Sequence, residues 1–325
     1  MAVSRKFPSA FRMAAGLLLI LGANPAFAEG ICEPSEGLDQ AAAGERVDPS
    51  SKLMSRVAPA SELVLQTYRD SGATGIASHH VTDTESASIE TAFAALPELH
   101  RQVLLKHLRH LSFVDTQPGA GNALTSKVAT CDGTEMFDLT LRAGIFHETL
   151  TEFLNVKERG LFKEDKSGYS VHLEAGSLPA LTYILLHEAT HGVDQALHIS
   201  DGDDTGFRDG IWADQGDALA KPYADGPIAG TIWHGGRKIP GKDIPALYRS
   251  LSASPFPTLY AASSVPQDLA EIVAWEQLAT RFGTNLRVDV KDGRGRVVYS
   301  YDALDAPLVR ARFRLVEELL RRRED

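Results

Sequence analysis

Hydrophobic and polar positions along the chain follow two periods, and each period predicts a set of elements. Apolar residues three and four apart predict helices over 61–70, 84–113, 151–160, 265–282 and 304–323. The second of these carries Leu99, Val103, Leu104, Leu108 and Leu111 at helical spacing, with a break near Pro97 and an end at Gln117-Pro118-Gly119. Alternation of apolar and polar residues predicts strands at 136–142 and 169–174, with a shorter one at 127–131. Segments 286–290 and 296–301 flank Lys291-Asp292-Gly293-Arg294-Gly295 and predict a hairpin. A further helix is expected from Ser177, whose hydroxyl suits an N-cap, with Pro179 in the first turn, to about Ile199. Residues 200–257 are rich in Gly, Asp and Pro and hold Trp212 and Trp233, so loops that shape a site are expected there. The elements predict an α+β fold whose C-terminal part is mostly helical.

Composition places this pattern in a globular chain: 325 residues, 43% hydrophobic and 23% charged. The first 28 residues read as a secretory signal peptide. Arg5, Lys6 and Arg12 precede an apolar run over 13–23 that is too short to span a bilayer, and Ala26-Phe27-Ala28 is a small-x-small cleavage site. Residues 29–58 are expected as a loosely ordered lead-in, and 59–325 as one domain whose N-terminal part, about 59–115, is helical. An exported chain, periplasmic or secreted, with no integral membrane segment after cleavage is the expectation. Export permits a disulfide, and Cys32 and Cys131 are the two cysteines that can form one. The net charge of −10 argues against nucleic acid as a partner.

The chemistry concentrates in His187-Glu188-Ala189-Thr190-His191, an HExxH motif inside a predicted helix. Histidines four apart share a helix face, so two imidazoles can share one Zn²⁺. Glu188 is then placed to act as general base on a metal-bound water. A third ligand is required. A histidine six residues after His191 is absent, since that position is Leu197, and no methionine lies downstream, so a metzincin is excluded. The next glutamate after Glu188 is Glu271, in the predicted 265–282 helix. It is the expected third ligand, with Asp268 as an alternative and Glu276 on a different face.

The segment His187-Glu188-Ala189-Thr190-His191-Gly192-Val193-Asp194-Gln195, with Leu259-Tyr260-Ala261-Ala262-Ser263-Ser264 and Asp268-Leu269-Ala270-Glu271, resembles the anthrax lethal factor and Mlc titration factor group of gluzincins. The resemblance covers two short segments. It implies a zincin-like metallopeptidase fold, with a small mixed sheet packed on the HExxH helix. It also implies that the Tyr260 hydroxyl stabilises the oxyanion. The chain departs from the pattern at Gln267, seven residues after Tyr260, where that group carries its ligand glutamate. Glu271 by a shifted register, Asp268, or an impaired site are the readings this leaves.

Other signals are weaker. Asp194 is placed to orient a ligand histidine or simply to face solvent. Asp201-Gly202-Asp203-Asp204-Thr205-Gly206 resembles the start of a calcium loop but has Trp212 where the closing acid belongs, which favours an acidic turn. His100, His107 and His110 are expected on one helix side, His172 on an edge strand, and His234 near a pocket. The expected function is zinc-dependent hydrolysis of peptide bonds in a peptide or protein substrate. The alternatives are a zinc amidase acting on cell-wall peptides and a zincin-fold binding protein that has lost catalysis.

Overall fold

Local capping chemistry starts several of the elements. In the computed structural model, which describes residues 46–117, 121–129, 135–202, 205–214, 216–231, 233 and 238–324, helix α1 (Glu62–Asp70) begins where the Ser61 hydroxyl accepts a bond from Val64 N. Strand β1 (Ala77–Ser78) follows. Helix α2 (Asp83–Ala95) opens with a reciprocal capping box between Thr82 and Glu85, and α3 (Glu98–His107) starts after Pro97. Then come β2 (Leu108–Asp115), β3 (Ala123–Ala129) and β4 (Glu135–Arg142). A second capping box, Thr149 with Glu152, opens α4 (Leu150–Arg159). After β5 (Phe162–Lys163) and β6 (Ser170–Glu174) comes α5 (Ala180–Leu197). The chain closes through β7 (Ile239–Pro240), α6 (Ile244–Ser252), α7 (Val265–Phe282), β8 (Arg287–Lys291), β9 (Val297–Asp302) and α8 (Pro307–Glu324).

The architecture is α+β. A mixed sheet runs in the order β1-β2-β4-β3, with β2 parallel to β4 and β3 antiparallel to β4 at the edge. The hairpin β8–β9 joins β6 in a second, antiparallel sheet, and β5 pairs with β7. Helix α5 packs on the mixed sheet so closely that a Cβ on Gly192 would lie 2.5 Å from Phe137 Cζ. That contact explains a glycine directly after the second motif histidine. On its other sides α5 meets α3 and α7, and Leu181, Ile184, Leu185, Leu186, Ala189 and Val193 are buried. No helix among the described residues is long and apolar enough to cross a membrane.

Three expectations change. Residues 108–113 form strand β2 rather than the end of a helix, so His110 lies on a strand. Leu108, Leu111, Phe113 and Val114 are all buried because this strand is central in its sheet, and a short apolar run covered on both faces has no period that separates strand from helix. Helix α5 begins at Ala180 with no side-chain cap, not at Ser177. Leu178 O and Ala180 N are instead bonded to Leu150 N and Glu148 O, so this entry is held by strand-like pairing. Finally, α6 lies within a stretch expected as loops. Its Ile244, Leu247, Tyr248 and Leu251 are buried on one face, but nine residues between Gly- and Pro-rich neighbours make a short signal. Residues 1–28, Cys32, Cys131, Asp203, Asp204 and His234 lie outside the described residues.

Candidate functional site

Helix α5 sets the first three groups. His187 and His191 sit one turn apart with ring centres 5.0 Å from each other, edge to face. His187 is buried; Glu188 and His191 are half-buried. Burial lowers the His191 imidazole to about 4, aided by His187, which keeps it neutral near pH 7. Glu188 accepts a 2.8 Å bond from the Thr125 hydroxyl of edge strand β3, which fixes one carboxylate oxygen. The edge strand beside the motif is therefore β3. The strand expected before the motif helix, β6, is the edge of the other sheet, where His172 is half-buried.

Helix α7 supplies the next groups, and it does so from its first turns. Ser264 caps it and Gln267 follows three residues later. The Gln267 side chain turns to the histidines: Oε1 lies 2.9 Å from His187 Nε2, and the same amide is near enough to His191 to favour its protonated form. One turn on, Glu271 is completely buried and lies at the opposite nitrogen of His187, 3.2 Å from Nδ1 and off the straight hydrogen-bond line. Its other partners are the Tyr183 hydroxyl, the Thr258 hydroxyl at 2.7 Å and Trp275 Nε1 at 3.1 Å. Burial alone would raise this carboxyl. The His187 imidazole beside it, the Lys157 charge and the Tyr183 hydroxyl overcome it and hold the group well below the usual carboxylate range.

The expected ligands are neighbours, but Glu271 and Gln267 meet His187 at different nitrogens. Glu271 backs His187 at Nδ1, whereas Gln267 reaches Nε2. Asp268 is committed elsewhere, accepting from Trp212 Nε1 at 2.9 Å and from Arg312, and burial raises it to about 6. Glu276 is bonded to Gln277 and Thr280. Asp194 fastens the end of α5, accepting from Ile199 N, Ser200 N and the Ser200 hydroxyl. His100 is buried and bonded to Thr190, while His107 is half-buried and bonded to Glu135 O. Among the described residues no three His, Cys, Asp or Glu side chains form a metal cluster.

Tyr260 stacks on His187, with ring centres 5.7 Å apart and planes at 23°. Burial pushes its phenol up, and the carboxylates of Glu188 and Glu271 add to the rise, so it stays protonated and able to donate. Trp233 meets Tyr260 edge to face at 5.1 Å and donates to Leu259 O. Lys157 of α4 places its ammonium 3.3 Å from the Tyr260 ring centre. Sequence reading missed Lys157, Thr125, Tyr183, Thr258 and Trp275. Two of these carried a local signal: Tyr183 precedes His187, and Trp275 follows Glu271, by one helical turn.

The donor set can be tested for a cation. With its proton on Nε2, His187 donates an ordinary hydrogen bond to Gln267 Oε1; with the proton on Nδ1, toward Glu271, the same two atoms become facing acceptors 2.9 Å apart. Two facing acceptors need a proton or a positive ion beside them. Two imidazoles and an amide oxygen fit a divalent cation, in a set with no negative ligand. Compared with protein-family models, with curated proteins and with solved structures, the chain matches none.

Proposed function

We propose that this chain is an exported zinc-dependent peptidase of the zincin kind. The observation that carries the reading is the convergence of His187, His191 and the Gln267 amide, beside a half-buried Glu188 held by an edge strand. His187, His191 and Gln267 would hold the metal, and Glu271 would orient His187 from behind, as carboxylates commonly do for ligand histidines. Bound zinc would polarise the scissile carbonyl and acidify water. Glu188 takes the proton of the attacking water on the oxygen that Thr125 leaves free, then passes it to the leaving amine. Tyr260 donates to the carbonyl oxygen as charge builds on it. Strand β3, the last strand of the mixed sheet among the described residues, offers an outer side along which an extended peptide can align.

A second reading rests on the same amide. Gln267 is a neutral group where the resemblance expects glutamate, and a binding protein that has given up the metal accounts for that too. Purified chain, loaded with zinc and then stripped by chelator, separates the two. Peptide cleavage that disappears on stripping and returns with zinc supports the peptidase. A chain that takes up no zinc with His187 and His191 intact supports the binding protein.

A further inference from the structure

Lys157 is half-buried, and burial lowers its ammonium from the usual lysine range. Its ammonium lies 3.3 Å from the Tyr260 ring centre and 5.3 Å from that of Trp233. Tyr260 in turn stacks on His187, so one aromatic ring links the ammonium to the motif. The carboxylates near enough to act on its charge are Glu271, Glu158 and Glu188. None of them pairs with it directly among the described residues. Glu271 is taken by Tyr183, Thr258, Trp275 and His187; Glu158 by the Tyr248 hydroxyl; Glu188 by Thr125. Aromatic faces attract a cation but accept no ordinary hydrogen bond in its place, so the N–H donors of Lys157 remain available to an incoming acceptor.

A second observation points the same way. The neutral Gln267 leaves the site one negative charge poorer than a glutamate would. An ammonium without an ion-pair partner and a missing ligand carboxylate both favour a substrate that brings its own negative charge, and both disfavour one that brings a positive charge.

We propose that Lys157 is a specificity residue that binds a carboxylate of the substrate next to the scissile bond. The proposal rests on the peptidase reading above. The carboxylate has two possible sources, a free peptide C-terminus or an Asp or Glu side chain, and the test separates them.

The experiment uses zinc-loaded full chain and two synthetic peptide libraries of the same sequences, one with free C-termini and one amidated, with products read by mass spectrometry. The expected result is an enrichment of about ten-fold or more for cuts within two residues of a carboxylate. Loss of cutting on amidation assigns the C-terminus; cuts beside Asp or Glu in both libraries assign the side chain. Lys157→Arg should keep the preference, Lys157→Met should remove it, and Lys157→Glu should turn it toward Lys and Arg. Wild-type cleavage without enrichment overturns the proposal and leaves the peptidase reading standing. So does enrichment that survives in a folded Lys157→Met chain. No cleavage by the wild type overturns both. The wild-type arm decides even where a variant fails to fold.

Discussion

Helices α5 and α7 both bring buried polar groups to the centre of the molecule, and they use them in opposite ways. On α5, His187, Glu188 and His191 each keep an atom or an edge that no hydrogen bond saturates, and the space beside them is partly open. On α7, Glu271 has partners on both oxygens, and Asp268 is fixed by Trp212 and Arg312. Gln267, at the start of α7, reaches back to His187 Nε2, while Glu271 lies against Nδ1 of the same ring. The contrast separates half-buried groups beside partly open space, which can act on a ligand, from buried carboxylates held by their partners, Asp268 through Oδ2 alone.

Breaking the reactive side should have the largest effect. Glu188→Gln is expected to lower peptide cleavage by about 10²- to 10⁴-fold while zinc content, read by metal analysis, stays unchanged. Breaking the holding side should cost stability instead. Arg312→Met leaves the Asp268 carboxyl buried without its cation and should destabilise the chain by about 3–5 kcal/mol in urea unfolding, with zinc uptake by the folded protein retained. A smaller loss, about 1–3 kcal/mol in the same assay, is expected for Gly192→Ala, whose new methyl meets the Phe137 ring between α5 and β4.

The smallest effect at neutral pH belongs to His100, which packs behind α5. Burial lowers its imidazole from 6.5 to about 3, and Nδ1 has no partner. Its folded value lies below its unfolded value, so the unfolded chain binds the proton more readily. The associated stability is therefore present above pH 6.5 and is lost as pH falls from there toward about 3. His100→Gln should flatten that part of the stability profile in denaturation series run across this range.

The same two helices show what was legible beforehand. The ends of α7 were readable to the residue, because Ser264 and Pro266 start it and Gly283 stops it in the left-handed conformation. The placement of the α5 groups was readable because both histidines and the glutamate sit on one helix, where spacing alone fixes their relative positions. The division of labour on α7 was not. Gln267 and Glu271 share a face, and periodicity cannot say which of two stacked residues meets Nε2 and which meets Nδ1 of a histidine on another helix. Lys157 and Thr125 reach the site from α4 and β3 through tertiary packing alone. The strand β2 was misread as helix for a related reason: burial on both faces erases the period that reports secondary structure.

The most direct test of the account is the zinc affinity of the wild type beside Gln267→Glu and Glu271→Gln, measured by competition with a chromophoric chelator. Gln267→Glu adds a negative ligand at the position facing His187 Nε2 and should bind zinc about ten-fold or more tightly. Glu271→Gln loses only the support behind His187 and should weaken binding by about 10- to 100-fold while still reaching saturation. An unchanged affinity in Gln267→Glu, together with no zinc binding at all in Glu271→Gln, would put Glu271 back in the ligand set and contradict the account.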